Sequence, residues 1–169
     1  GWTADRRPGA MFEYSNLGIG LLGQALARRA GKPYEQLLKE RILDPLGLKD
    51  TDFSNRALAT PHDASGAVAK PWQLSALTAA GGLRSTTTDM TRFAAALLDP
   101  PRQLRSAVRL MLDHPLKPAG DFSQVGLGLL TVPTTAGVLL NHDGGTGGMR
   151  SSLFVDPARQ RAVVVLSNS

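Results

Sequence analysis

The sequence contains no cysteine. Disulfides, thiolate nucleophiles and Cys-ligated metal are therefore excluded, and the redox compartment is left open. There is no run of 18 apolar residues, so the sequence offers no membrane-spanning helix. Its first residues, Gly1-Trp2-Thr3-Ala4-Asp5-Arg6-Arg7-Pro8, hold none of the apolar core that a signal peptide needs. Histidine is scarce. His62, His114 and His142 share no metal-ligand spacing, and the residues call for no metal and no other cofactor. Aromatics make up only 5% of the chain and do not interleave with the basic residues. The formal charge of +5 is spread over singles and pairs such as Arg6-Arg7 and Arg28-Arg29, with no clustered stripe. A solvated, mildly basic surface is expected, and no nucleic-acid partner. No Gly-x-Ser-x-Gly nucleophile elbow occurs.

What is present fits a globular domain. A chain of 169 residues, 42% hydrophobic and 20% charged, is long enough to bury a core. Residues 1–13 read as irregular. Ser15 or Asn16 can cap a helix whose apolar positions are Leu17, Leu21, Leu22, Ala25 and Leu26, and Gly31 ends it. Gly18, Gly20 and Gly23 interrupt that helix at about 1 kcal/mol each relative to alanine. Their presence predicts a tight contact on that face. Pro33 suits the first position of a second helix, with Tyr34, Leu37, Leu38 and Ile42 as its stripe and Pro45-Leu46-Gly47 as its stop. Residues 49–72 read as loop, 73–80 as a short helix, and Gly81-Gly82 as a break.

Ser85-Thr86-Thr87-Thr88-Asp89 caps a helix that places Met90, Phe93, Ala94, Leu97 and Leu98 on one face, the strongest periodicity in the sequence. Another helix runs through Leu104, Ala107, Val108, Met111 and Leu112 and stops before Pro115. From about residue 120 the pattern becomes short apolar runs: 125–132, 138–141, 151–155 and 162–166. The last two are joined by a hairpin loop at 156–160. The expected fold class is therefore α+β: a helical region over 1–120 and an antiparallel sheet of about four strands over 121–169.

One stretch concentrates chemistry: His142-Asp143-Gly144-Gly145-Thr146-Gly147-Gly148. It follows one apolar run and precedes another, so it reads as a glycine-rich segment between strands. Glycine there lets another molecule approach the backbone, and a bare N–H aimed at a ligand oxygen is what an oxyanion hole requires. A wide hairpin loop is the plainer reading. A phosphate cradle fits poorly, because Met149 and Arg150 follow where Lys and Ser/Thr are needed.

Tyr14-Ser15-Asn16 at a helix start, followed much later by His142-x-Gly144 on a strand, resembles the serine β-lactamase-like family. That family includes class C β-lactamases, D-aminopeptidases, D-Ala-D-Ala carboxypeptidases and related esterases. Ala80-Gly81-Gly82-Leu83-Arg84-Ser85-Thr86, Gly126-Leu127-Gly128 and Leu166-Ser167-Asn168 resemble it too. The resemblance runs over nearly the whole chain and implies a partial β-lactamase/transpeptidase-like fold. It implies acyl transfer, in which a serine forms an acyl-enzyme that water hydrolyses. By the same resemblance, Tyr14 is the proton shuttle and Asn16 holds the substrate flank. His142 stands where β-lactamases carry Lys. Gly144 and Gly145 form the oxyanion strand, Gly145 giving its N–H, and Thr146 touches substrate. Alone, each residue has a plainer role: an aromatic at a helix entrance, a cap, a strand-end histidine, a loop hydroxyl.

The sequence departs from the family at one essential place. No serine has lysine three residues on, as the Ser-x-x-Lys nucleophile motif demands. Ser106-Ala107-Val108-Arg109 is the nearest imitation, and Arg cannot act as a base near neutral pH. The expectation is a portion of a serine hydrolase whose nucleophile helix would precede Gly1 and whose closing helix would follow Ser169, inactive alone. Its substrate would be a small ester, a D-amino-acid amide or peptide, or a β-lactam, with His142 favouring the first two. The alternatives are a non-catalytic module that binds peptidoglycan peptides or other ligands in the same groove, and a plain scaffold without a site. The resemblance points to a periplasmic or extracellular compartment. Uncovered sheet edges would favour self-association.

Overall fold

The computed structural model describes residues 6–10, 12–113, 124–135 and 137–169. The expected boundary at 120/121, the stop at Pro115, His114 and the opening residues 1–5 lie outside the described residues.

Helix α1 (Asn16–Ala30) starts at Ser15, whose extended backbone and hydroxyl make it the N-cap, and stops at Gly31 in the left-handed region, φ 66°. The buried face of α1 is not the leucine stripe that periodicity suggests. Leu17, Leu21, Leu22 and Leu26 are exposed, and Gly20 and Gly23 are buried. The 3-10 segment Ser75–Ala80 lies against the glycines, where Leu77 and Ala79 come too close for any side chain. Gln24 fixes the pairing by donating its side-chain amide to the Ala76 carbonyl at 2.8 Å.

The second helical stretch is segmented: α2 (Tyr34–Leu38), a π-helical turn (Lys39–Leu43) and α3 (Asp44–Leu46). Pro33 is its N-cap, with ψ 144°, rather than its first helical residue, and Gly47 ends it at φ 64°. Helix α4 (Thr87–Leu98) is capped by the Thr86 hydroxyl, which accepts the Asp89 N–H. Helix α5 (Arg105–Asp113) follows.

The sheet has five strands in sequence order, all antiparallel: β1 (Gln124–Val125), β2 (Leu130–Thr134), β3 (Gly137–Thr146), β4 (Met149–Asp156) and β5 (Arg161–Ser167). The apolar run 125–132 is two strands, because a turn at Gly126–Gly128 folds it back on itself, with Gly128 at φ 92°. Ala94 and Leu97 of α4 bury against Leu140, Leu153 and Val155 of the sheet, with Phe93, Val108 and Met111 around them. So α4 and α5 cover one face. On the other, Phe154, Val163 and Val165 are exposed.

A buried carboxylate ties the 49–52 segment to this layer. Asp89, 0% exposed, accepts the Asp50 N–H and the Thr51 hydroxyl, each at 2.8 Å, and pairs with Arg92 at 2.8 Å. Burying an ion is tolerable only when its oxygens are matched in this way.

Candidate active site

The glycine-rich stretch is neither a loop nor an insertion between strands. Strand β3 runs straight through His142–Thr146, and only Gly147 and Gly148 form the turn to β4. Both turn residues have positive φ, 50° and 78°, as a two-residue hairpin of the primed type requires. The turn is clamped from above. A side chain on Gly147 would lie 2.6 Å from the Lys70 carbonyl, and one on Gly148 would lie 2.7 Å from that of His62.

The pairing of β3 changes along its length. Strand β2 accompanies it only as far as Leu130↔Asn141, whereas β4 stays with it to Thr146↔Met149. From His142 to Thr146, β3 therefore has a partner on one side only. Alternate N–H and C=O groups on its other side have no strand partner among the described residues, which leaves a backbone template for an extended ligand. A methyl at Gly144 would meet Ser151 Oγ at 2.7 Å and one at Gly145 would meet Arg150 Nη1 at 3.0 Å, both ends of side chains that can turn aside.

A cleft of about 440 Å³ opens on this edge. Tyr14 and Asn16 line it from the start of α1, and His142, Gly144, Gly145 and Thr146 line it from β3. All six residues singled out in the sequence thus face one cavity, across more than 120 residues of chain. The division of labour at α1 is also clear. Ser15 is spent on the cap, its Oγ accepting the Gly18 N–H at 2.9 Å, while Tyr14 is 62% exposed and its neighbour Asn16 is exposed too. Asp143 lines the cleft as well. Its carboxylate accepts from the Ser152 hydroxyl and from Asn141 Nδ2, the latter at 3.2 Å.

Two further residues line the cleft, of which only Arg84 lies in a stretch that the sequence singled out. Trp72, half exposed, stands in a segment without periodicity and forms a lip of the cleft. Arg84 fastens that lip: Nη2 donates to the Trp72 carbonyl at 3.0 Å, and Nη1 to the carbonyls of Gly82 at 3.0 Å and Leu83 at 3.2 Å. The Arg84 backbone is itself held by Asp52 in both directions, at 2.7 and 3.1 Å. The Asp52 carboxyl is held below the usual range, first by the Ser54 N–H and further by the Ser54 hydroxyl and Arg56.

A phenol, an imidazole, a carboxamide and an open strand edge line one cleft, and the fold carrying them is that of a known group. The Beta-lactamase family profile matches residues 1–169, and the chain belongs to that family. The D-alanyl-D-alanine-carboxypeptidase/endopeptidase AmpH of Escherichia coli strain K12 is 30% identical over 184 residues, covering 96% of this chain and 46% of AmpH. The octameric penicillin-binding protein homologue from Pyrococcus abyssi superposes with a TM-score of 0.84 at 26% identity, covering 98% of this chain and 40% of that one. The D-amino acid amidase from Ochrobactrum anthropi gives 0.76 at 29% identity, over 97% and 52%. The chain spans about half the length of the relatives it matches. The α+β, β-lactamase/transpeptidase-like fold expected from the sequence is confirmed, with five strands rather than four.

Proposed function

We propose that this chain supplies two walls of a serine acyl-hydrolase site, with the attacking Ser-x-x-Lys outside its 169 residues, and that it is inactive by itself. The observation that carries the reading is the shared cleft of Tyr14, Asn16 and the open edge of β3. Tyr14 relays the proton between nucleophile and leaving group. Asn16 and Thr146 hold the substrate flanks. His142 donates to Tyr14 or to the substrate. The Gly145 N–H, on an edge where no side chain intrudes, stabilises the oxyanion, with Gly144 beside it. Small esters and D-amino-acid amides or peptides are the preferred substrates, ahead of β-lactams. The carboxypeptidase/endopeptidase AmpH and the D-amino acid amidase of Ochrobactrum anthropi, both similar to this chain, support amide and peptide substrates.

The test is intact mass after treatment with a fluorophosphonate and, separately, a penicillin. The chain alone is expected to stay unlabelled, and the product of the complete reading frame to take one adduct. A stoichiometric adduct on the chain alone would refute its inactivity, with Ser15 and Ser151 the first sites to map. In the complete product, Tyr14→Phe and His142→Ala should each lower kcat/KM on a nitrophenyl ester by about 10²–10⁴-fold.

A second reading, a ligand-binding module in the same groove, has one observation in its favour: no serine of this sequence has lysine three residues on. Ligand binding without any adduct in the complete product would select it. The apolar residues exposed on α1 and on the sheet also favour self-association, and a clean monomer by light scattering would count against that.

A further inference from the structure

We infer that Asn168 is a positioning residue for the strand that carries Gly145. It holds the segment 60–72 down on the β3–β4 turn, and that segment fixes where the Gly145 N–H points. The inference rests on the acyl-hydrolase reading above. Asn168 ends the Leu166-Ser167-Asn168 stretch, and the site described so far gives it no task. It is not among the residues that border the cleft, so it acts on the reaction through other groups.

Segment 60–72 is a small folded unit. The Ala69 N–H donates to the Pro61 carbonyl at 2.9 Å and the Asp63 N–H to that of Ala67 at 2.8 Å. The Asp63 carboxylate closes the loop between them by accepting the N–H groups of Ser65, at 2.9 Å, and Ala67, at 3.1 Å. Asn168 ties this unit to the end of β5. Its side-chain amide donates to the Thr60 carbonyl at 2.8 Å, and its own carbonyl accepts the His62 N–H at 2.7 Å. The His62 ring stands beside the second bond, with Nδ1 3.3 Å from the same oxygen. Arg84 holds the far end through the Trp72 carbonyl at 3.0 Å.

Beneath the unit lies the tip of the β3–β4 hairpin, and backbone meets backbone there. A Cβ on Gly148 would stand 2.7 Å from the His62 oxygen and 2.9 Å from its nitrogen; one on Gly147 would stand 2.6 Å from the Lys70 oxygen and 2.9 Å from the Trp72 nitrogen. Gly145 is one pair back from the closing pair Thr146↔Met149. Strand β2 leaves β3 at Asn141. Beyond that point the strand partner of β3 among the described residues is β4, which turns with it, so the hairpin pivots about its root unless its tip is braced. Segment 60–72 is that brace. A donor displaced by about 1 Å from a developing oxyanion loses much of its effect on rate. Only an amide at 168 serves: a carboxylate of the same shape has no hydrogen to give the Thr60 carbonyl.

The experiment uses the product of the complete reading frame, labelled with ¹⁵N-glycine, and three variants. Asn168→Asp keeps the shape without the donor, Asn168→Ala removes both, and Asn168→Gln keeps the donor on a longer arm, for which the adjoining cavity of about 690 Å³ leaves room. Two quantities are read: the Gly145 amide resonance, with Gly20 and Gly23 of α1 as references, and kcat and KM on p-nitrophenyl acetate, each per site counted by fluorophosphonate adduct at completion. In Asn168→Asp and Asn168→Ala the Gly145 resonance should move while the references stay. In both, kcat per site should fall about threefold to tenfold, the scale of one hydrogen bond, with KM within about twofold. Asn168→Gln should keep most of both. A Gly145 resonance that stays put in Asn168→Asp and Asn168→Ala would overturn the inference. So would fewer labelled sites at unchanged kcat per site, the mark of a purely structural role, or an Asn168→Gln protein no better than Asn168→Ala. If the unmodified product hydrolyses no ester, the acyl-hydrolase reading fails on its own account. The Gly145 resonance then decides alone: movement supports the brace, and none refutes it.

Discussion

Gly23→Ala tests the claim that the glycine face of α1 is its packing face. Two effects oppose each other. Alanine inside a helix is favoured over glycine by about 1 kcal/mol. Against that, the new methyl would stand 2.3 Å from Ala79 Cβ, where two carbons prefer about 3.5–4.0 Å. The obstacle is a side chain of one atom, fixed to its backbone, so it cannot swing away. Helix and 3-10 segment must part by more than an ångström. Overpacking of that kind costs about 1–3 kcal/mol, and the Gln24 bond to Ala76, worth about 1 kcal/mol, is stretched as well. The expected balance is a loss of about 1–2 kcal/mol, or roughly 2–8 °C in Tm for a chain of this size. Gly18→Ala is the internal control. Its methyl meets only Ser15, at 3.4 Å, so propensity prevails and stability rises by up to about 1 kcal/mol. Urea unfolding followed by far-UV circular dichroism reads both. A Gly23→Ala protein as stable as the unmodified one would refute the close packing of α1 on Ser75–Ala80.

Asp89→Ala should cost about 3 kcal/mol by urea unfolding, because it strands the Asp50 N–H, the Thr51 hydroxyl and the Arg92 charge; a change within 0.5 kcal/mol would show that the clamp is dispensable. Gly147→Ala must hold φ 50° with a side chain and press on the Lys70 carbonyl at 2.6 Å, so a loss of about 2 kcal/mol or more is expected by the same measurement. Asp63 has its carboxyl held below the usual aspartate range, first by the Ser65 hydroxyl, then by the N–H groups of Ser65 and Ala67. The folded form therefore binds this proton less readily than the unfolded chain. Its contribution is present above the ordinary aspartate value and fades as the pH falls through the depressed one. Amide exchange at Ser65 and Ala67, corrected for intrinsic rates, should accelerate over that acid window, and Asp63→Asn should abolish the change.

Legibility in the sequence followed the physics of each element. Helix α4 was plain, since its apolar residues repeat at helical spacing and pack on the sheet as that spacing implies. Helix α1 was found with its cap, its stop and the close contact its glycines imply, while the leucine stripe that periodicity marks stays exposed. Periodicity counts apolar side chains, and here Leu77 and Ala79 of the 3-10 segment enter where side chains are missing. The strand through His142–Thr146 was expected from the family resemblance but not from the residue pattern, because glycine lowers strand preference and its extension depends on the pairing with β4. The six site residues were legible as an ordered pair of motifs, and the structure sets them around one cleft. Trp72 was not, and Arg84 was read only as part of the 80–86 stretch, since the 49–72 segment takes its shape from distant partners: Asn168 bonds to Thr60 and His62, and Arg84 to Trp72.

The seating of α4 on the last strands has a consequence for synthesis on the ribosome. The apolar stripe of α4 rests on Leu153 and Val155, more than fifty residues further along the chain. At ~5–20 residues per second, that stripe waits on the order of several seconds before its cover is made. The β3–β4 and β4–β5 hairpins need only neighbouring residues and close within microseconds once extruded. The sheet then arrives as a nearly finished surface on which α4 docks. During the interval the nascent chain carries a Phe-Ala-Leu-Leu surface that its own sheet does not yet cover.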